Sequence, residues 1–187
     1  MLTLVAAGPA NAHLVSTGFG PVYDGVAHLF LTPEDLLPVV ALALLAGIRG
    51  PRFGRALLVA LPLAWVAGCI VGAVGMRATA PAAVAAVTIA LGALVAGDVP
   101  LRLPPMVGLA VLVGLLSGAG NAIDLGRAPP GALGLVGVAG ALLVVMSLVA
   151  GQVASVRAAW ARVVVRVAGS WVASSGLFML GWSLRGT

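Results

Sequence analysis

The chain is a succession of long apolar runs broken only by short clusters of Gly, Pro and Arg, and charge is almost absent from the runs themselves. Only 8% of the residues are charged and 61% are hydrophobic, with a mean hydropathy of +1.18. A soluble domain carries about a quarter charged residues, and a water-facing surface cannot be built from so few. Hydrocarbon must therefore be the solvent for most outward side chains, so the backbone has to satisfy its own hydrogen bonds within helices. The sequence predicts an all-α, polytopic transmembrane helical bundle.

The 187 residues leave room for six or seven spans of about 20 residues with tight loops, and six runs stand out. The expected spans are about Leu36–Ile48, Ala56–Gly75, Pro81–Gly97, Pro104–Asn121, Gly131–Ala154 and Val163–Leu184. Leu14–Leu31 is mixed in composition and reads as a loop or a short interfacial helix. Thr32-Pro33-Glu34-Asp35 then reads as a helix start: Thr32 can cap, Pro33 suits the first helical position, and two acids favour the positive helix end. Near the N-terminus, Ala10-Asn11-Ala12 has the A-x-A form of a signal cleavage site. Residues 1–12 are accordingly read as a signal-peptide remnant and residues 13–187 as one transmembrane domain, with His13 the first mature residue.

The net charge is +5 and every basic residue is Arg. A basic balance can mean nucleic acid, but these arginines sit in short loops between apolar runs, where they act as topology signals. If the Arg49–Arg55 loop is cytoplasmic, Arg49, Arg52, Arg55, Arg102, Arg157 and Arg162 fall inside with Arg166 near them, and Arg77, Arg127 and Arg185 fall outside. That distribution obeys the positive-inside rule, leaves both termini extracytoplasmic, and agrees with a secretory signal. The all-Arg, Ala/Gly/Val-rich usage points to a GC-rich bacterium and hence to its inner membrane.

Small residues recur in the spans. Gly68 with Gly72 and Gly114 with Gly118 are spaced for close helix packing, and Gly131, Gly134, Gly137 and Gly140 repeat every third residue. A backbone-lined path is the alternative use of such glycines. The lone Cys69 can form no intrachain disulfide or CxxC site and reads as a small buried apolar residue. Asp98 and Arg102 flank a tight loop and receive no role, Arg162 and Arg166 read as snorkelling arginines, and Ser117 reads as an interhelical hydrogen-bonding group.

The topology gathers polar chemistry on one side. His13, Asp24, His28, Glu34 and Asp35 precede the first span, and the fourth span delivers Asn121 and Asp124 to the same extracytoplasmic face. Imidazole with carboxylate is a ligand set for a borderline divalent cation such as Ni²⁺, Co²⁺ or Zn²⁺. A chain turn at Thr32-Pro33 would let His28 face Glu34. The plainer reading stays open: the two acids cap a helix and His28 sits at the interface. No GxSxG, HExxH, P-loop or dinucleotide motif occurs, so no enzymatic activity is expected.

The stretch His13-Leu14-Val15-Ser16-Thr17-Gly18-Phe19-Gly20, followed by His28-Leu29-Phe30-Leu31-Thr32-Pro33-Glu34-Asp35-Leu36-Leu37, resembles the start of the HupE/UreJ family of small bacterial membrane proteins. In that family a His follows the cleavage site, a second His comes later, and an acid–His pair opens the first span. His28 and Glu34 match, while Asp35 stands where the family has His. Gly114-Leu115-Leu116-Ser117-Gly118-Ala119-Gly120-Asn121 is similar to a later His-bearing family element, with Ser117 at the His position. The resemblance implies a permease for a divalent transition metal, nickel or cobalt, with no permanently bound cofactor. Together with the polar residues gathered on the outer face, it suggests capture by His13, His28, Glu34, Asp35 and Asn121, with Asp24 or Asp124 assisting. Beside the lipid bilayer and the metal ion, a homo-oligomer or metalloenzyme-maturation proteins are the partners such a protein would have; nucleic acid is not among them. The alternative is a non-transporting accessory protein that stabilises a partner complex.

Overall fold

A computed structural model describes residues 17–74, 81–127, 131–156 and 158–185. The described residues form seven helices and no strand: α1 (Pro21–Leu31), α2 (Pro33–Arg49), α3 (Pro51–Ala73), α4 (Pro81–Ala96), α5 (Leu103–Arg127), α6 (Gly131–Ser155) and α7 (Ala159–Ser183). Proline opens four of them, at positions 21, 33, 51 and 81, where its missing N–H has no helical partner to lose and its fixed φ suits the first turn. Each of the six expected apolar segments is helical, and the mixed segment before them contributes the short helix α1.

Several boundaries move outward from the apolar runs, whereas α4 stops at Ala96, one residue short. α3 starts at Pro51, so Arg52 and Arg55 lie in its opening turns rather than in a loop. α5 continues to Arg127 through what composition alone marks as a loop after Asn121, because polar residues do not end a helix that has no breaker before the Pro129-Pro130 pair. Between α2 and α3, Gly50 adopts φ 101°, a left-handed value that favours glycine and lets two helices follow one another with a single intervening residue.

Four helices are long and apolar enough to cross a membrane: α3, the apolar parts of α5, α6 and α7. At 1.5 Å per residue, α3 and α6 reach roughly 34–37 Å against a hydrocarbon core of about 30 Å. The pair α1 and α2, bent by 76° at Thr32, qualifies as a fifth when taken as one broken span. Thr32 is extended (φ −104°, ψ 95°), as a residue before proline is driven to be. α4 has only 16 residues, so the described structure supports four to five candidate spans where the sequence suggested about six.

α2 is the axis of the bundle and packs against every other helix. Its residues from Ala41 to Gly47 are all buried, as expected of a helix apolar on all sides. The others pair around it, with α3 against α5, α4 against α7, and α6 against α1 and α2. Glycine sets the closeness of these pairs. A Cβ at Gly68 would meet the backbone of Leu115, one at Gly118 the backbone of Trp65 and Cys69, and one at Gly92 the backbone of Ala173. The two small-xxx-small motifs thus face one another across α3 and α5. In the Gly131–Gly140 series, Gly137 packs on the backbone of Val22, whereas Gly140 meets nothing. The outer surface is apolar: Trp171 is 75% exposed, Phe178 74% and Trp182 71%, side chains that belong in lipid and its interfaces. Trp65, by contrast, is packed inside.

Candidate functional site

The corner between α1 and α2 builds a polar site inside this apolar bundle. The Thr32 side chain makes no cap bond; its backbone makes the connection instead, the N–H donating to the His28 carbonyl at 3.0 Å and the carbonyl accepting from Asp35 N–H at 3.0 Å. His28 in the last turn of α1 and Asp35 in the first turn of α2 are thereby brought face to face, with His28 Nε2 at 3.7 Å from Asp35 Oδ2. α5 completes the group. Asn121 donates from Nδ2 to Asp35 Oδ2 at 2.7 Å, with both residues buried. Ser117, one turn earlier on α5, is also buried. From α3, buried Cys69 packs its backbone against Gly118 of α5, between Ser117 and Asn121.

Most of this polar complement is satisfied within the cluster, with one exception. His28 Nε2 is buried and has no hydrogen-bond partner. Such a nitrogen stands out, since buried polar atoms are ordinarily paired.

The sequence-derived residues fare differently. His28, Asp35 and Asn121 come together from three helices. Glu34 is exposed, so the turn at Thr32-Pro33 exists but it is Asp35, not Glu34, that faces His28. Helix geometry decides this, because consecutive residues point about 100° apart. His13 lies outside the described residues, as does the A-x-A segment, and the side chain of Asp124 is likewise outside them. Asp24 accepts hydrogen bonds from Thr17 N–H at 2.6 Å and Thr17 Oγ1 at 2.7 Å, tying the segment before α1 to that helix. Among the described residues no three His, Cys, Asp or Glu side chains converge on one point. Cys69 is the residue that sequence reasoning set aside; the only signal for it was its place one residue after Gly68, on the face that packs against α5.

Taken together, these features define a polytopic helical membrane protein with a buried imidazole–carboxylate–amide cluster where a broken helix meets two spans. The chain belongs to the HupE/UreJ family: the family model described as HupE / UreJ protein matches residues 1–179. No curated protein and no solved structure matches the chain. The family is associated with nickel or cobalt transport or with accessory roles.

Proposed function

We propose that the protein is a permease for a divalent transition metal, nickel or cobalt, and that it captures the ion at the extracytoplasmic end of the bundle. In this reading the chain crosses the bacterial inner membrane six times with both termini extracytoplasmic, residues 1–12 are removed, and no enzymatic step is involved. The observation that carries the proposal is the His28–Asp35–Asn121 cluster, with its unpartnered Nε2. Two donors bound to one metal at about 2.1 Å in a tetrahedral site stand about 3.4 Å apart; His28 Nε2 and Asp35 Oδ2 are 3.7 Å apart. A small closure of the α1–α2 corner would let both bind one ion. Asn121 holds the carboxylate in position and offers its own side-chain oxygen, while His13 and the exposed Glu34 supply an outer approach. An ion leaving the cluster would be driven onward by the membrane potential or a coupled gradient.

A second reading is favoured by one specific observation: three titratable donors do not converge among the described residues. Under it, Asp35 and Asn121 form a buried polar tie that locks α2 to α5, and the protein serves a partner complex without transporting. Uptake of radiolabelled nickel and cobalt in cells separates the two. Uptake above the empty vector that disappears with His28→Ala and with Asp35→Asn supports the permease. Uptake at vector level for both metals, with the protein verified in the membrane, removes it and leaves the accessory role.

A further inference from the structure

A second polar cluster closes the opposite end of the bundle. Arg49, the last residue of α2, donates through Nη2 to the Asp98 carbonyl at 2.9 Å and to Asp98 Oδ1 at 3.1 Å. Arg162 of α7 reaches Asp98 Oδ2 at 3.1 Å. Two guanidinium groups therefore share one carboxylate, and one positive charge is left over. Arg166, one turn further along α7, donates Nε to the Ala96 carbonyl at 2.8 Å, which occupies a donor but cancels no charge. Arg49 Nε is itself buried with no hydrogen-bond partner.

Arg49 and Arg162 both line a cavity of about 390 Å³ framed by the ends of α2 and α6 and the start of α7. Trp160 stands on its wall and is 66% exposed. Val164, also on the wall, is 55% exposed, and beside it Val163 and Val167 continue the same apolar outer face of α7. The N-terminus of α7 carries no side-chain cap, which leaves its positive end available to an anion.

We propose that this cavity seats the headgroup of an anionic glycerophospholipid. Arg49 and Arg162 hold the phosphodiester, Trp160 lies at the level of the glycerol, and the acyl chains run down the outer face of α7. Three features select this ligand. The surplus positive charge calls for a net anion, which a zwitterionic lipid does not supply. Guanidinium groups pair geometrically with phosphate oxygens. The wall of the cavity also opens onto apolar surface that a free phosphate would leave uncovered. Basic pockets between helices at a membrane face are a known form of headgroup site.

The test uses the purified full-length chain in detergent. Native mass spectrometry is run with phosphatidylglycerol and with phosphatidylcholine, and thermal unfolding is followed with each lipid and with inorganic phosphate. Phosphatidylglycerol is expected to be retained and to stabilise the protein in preference to the other two. Arg162→Gln leaves the Arg49–Asp98 pair in place and is expected to weaken phosphatidylglycerol binding roughly fivefold, while Arg185→Gln, at the far end of the same helix, leaves binding unchanged. Should Arg162→Gln fail to fold, Trp160→Ala, whose ring is largely outside the packed core, serves in its place with the same direction of effect. Equal retention of the two lipids, or a folded Arg162→Gln or Trp160→Ala variant that binds like the parent, overturns the proposal. Stabilisation by inorganic phosphate equal to that by phosphatidylglycerol makes the cavity a small-anion site and overturns the lipid assignment.

Discussion

The most extensive helix contact, α3 against α5, can be probed by one chemical change made at two places in the same helix. A Cβ at Gly118 would press on the Trp65 carbonyl oxygen and stand 3.0 Å from both the Trp65 carbonyl carbon and the Cys69 amide nitrogen. All three are backbone atoms of α3, so no side chain can swing aside. Carbon–oxygen contacts normally begin near 3.3 Å, and relieving the clash requires the two helices to part by about 1 Å. Overpacking of this kind costs about 1–3 kcal/mol. Gly108 lies nearly three turns earlier on α5, and a Cβ there meets nothing within 4 Å. Alanine at that position gains helix propensity of up to about 1 kcal/mol. Gly118→Ala gains the same propensity, so the two variants should differ by the overpacking cost alone, about 1–3 kcal/mol, with Gly118→Ala the less stable. Equilibrium unfolding of the purified protein in mixed micelles, titrated with a denaturing detergent and followed by circular dichroism, measures both. Ser117 and Asn121 flank Gly118, so Gly118→Ala should also impair metal uptake, if the permease reading holds, while Gly108→Ala should not. Two variants of equal stability would refute the claim that glycine backbone contact sets the spacing of α3 and α5.

Further outcomes follow from the two polar clusters. Asn121→Leu removes the buried donor to Asp35 while keeping the number and branching of side-chain heavy atoms, and should cost about 1 kcal/mol in the same unfolding assay, the scale found for interhelical hydrogen bonds in membranes. Arg49→Gln, which removes the better buried partner of Asp98 (side-chain exposure 17% against 63% for Arg162), should cost about 1–3 kcal/mol, while Arg162→Gln should cost less than about 1 kcal/mol; the reverse order would mean that Arg49 is not the anchor of that carboxylate. Cys69, 4% exposed, should resist a membrane-permeant maleimide in the folded protein and react once it is unfolded.

Much of the architecture is legible in the residues, for reasons that can be stated one by one. The membrane class follows from charge scarcity, because no arrangement of the chain can create polar surface it does not possess. The helix starts at Pro33 and Pro81 follow from proline, which acts locally, whereas the starts at Pro21 and Pro51 lie in segments whose composition reads as a loop. The pairing of Gly68 and Gly72 with Gly114 and Gly118 could be anticipated as close packing, but the partner helix could not be read, because spacing within one helix says nothing about what lies across from it. The same limit explains Glu34 and Asp35. Adjacent in sequence and alike in chemistry, they differ only in direction, and the α1–α2 bend of 76° turns Asp35 inward and Glu34 out.

The sequence by itself determined that this chain lives in lipid as a set of helices, because composition and local backbone preferences are properties of the chain before it folds. Only the tertiary structure decided that His28, Asp35 and Asn121 meet at one end, that Cys69 and Ser117 stand with them, and that Asp98 joins Arg49 to Arg162 at the other. Those contacts span up to 86 residues of chain. They arise from how glycine-faced helices settle around α2, and that packing belongs to the whole bundle and to no single segment.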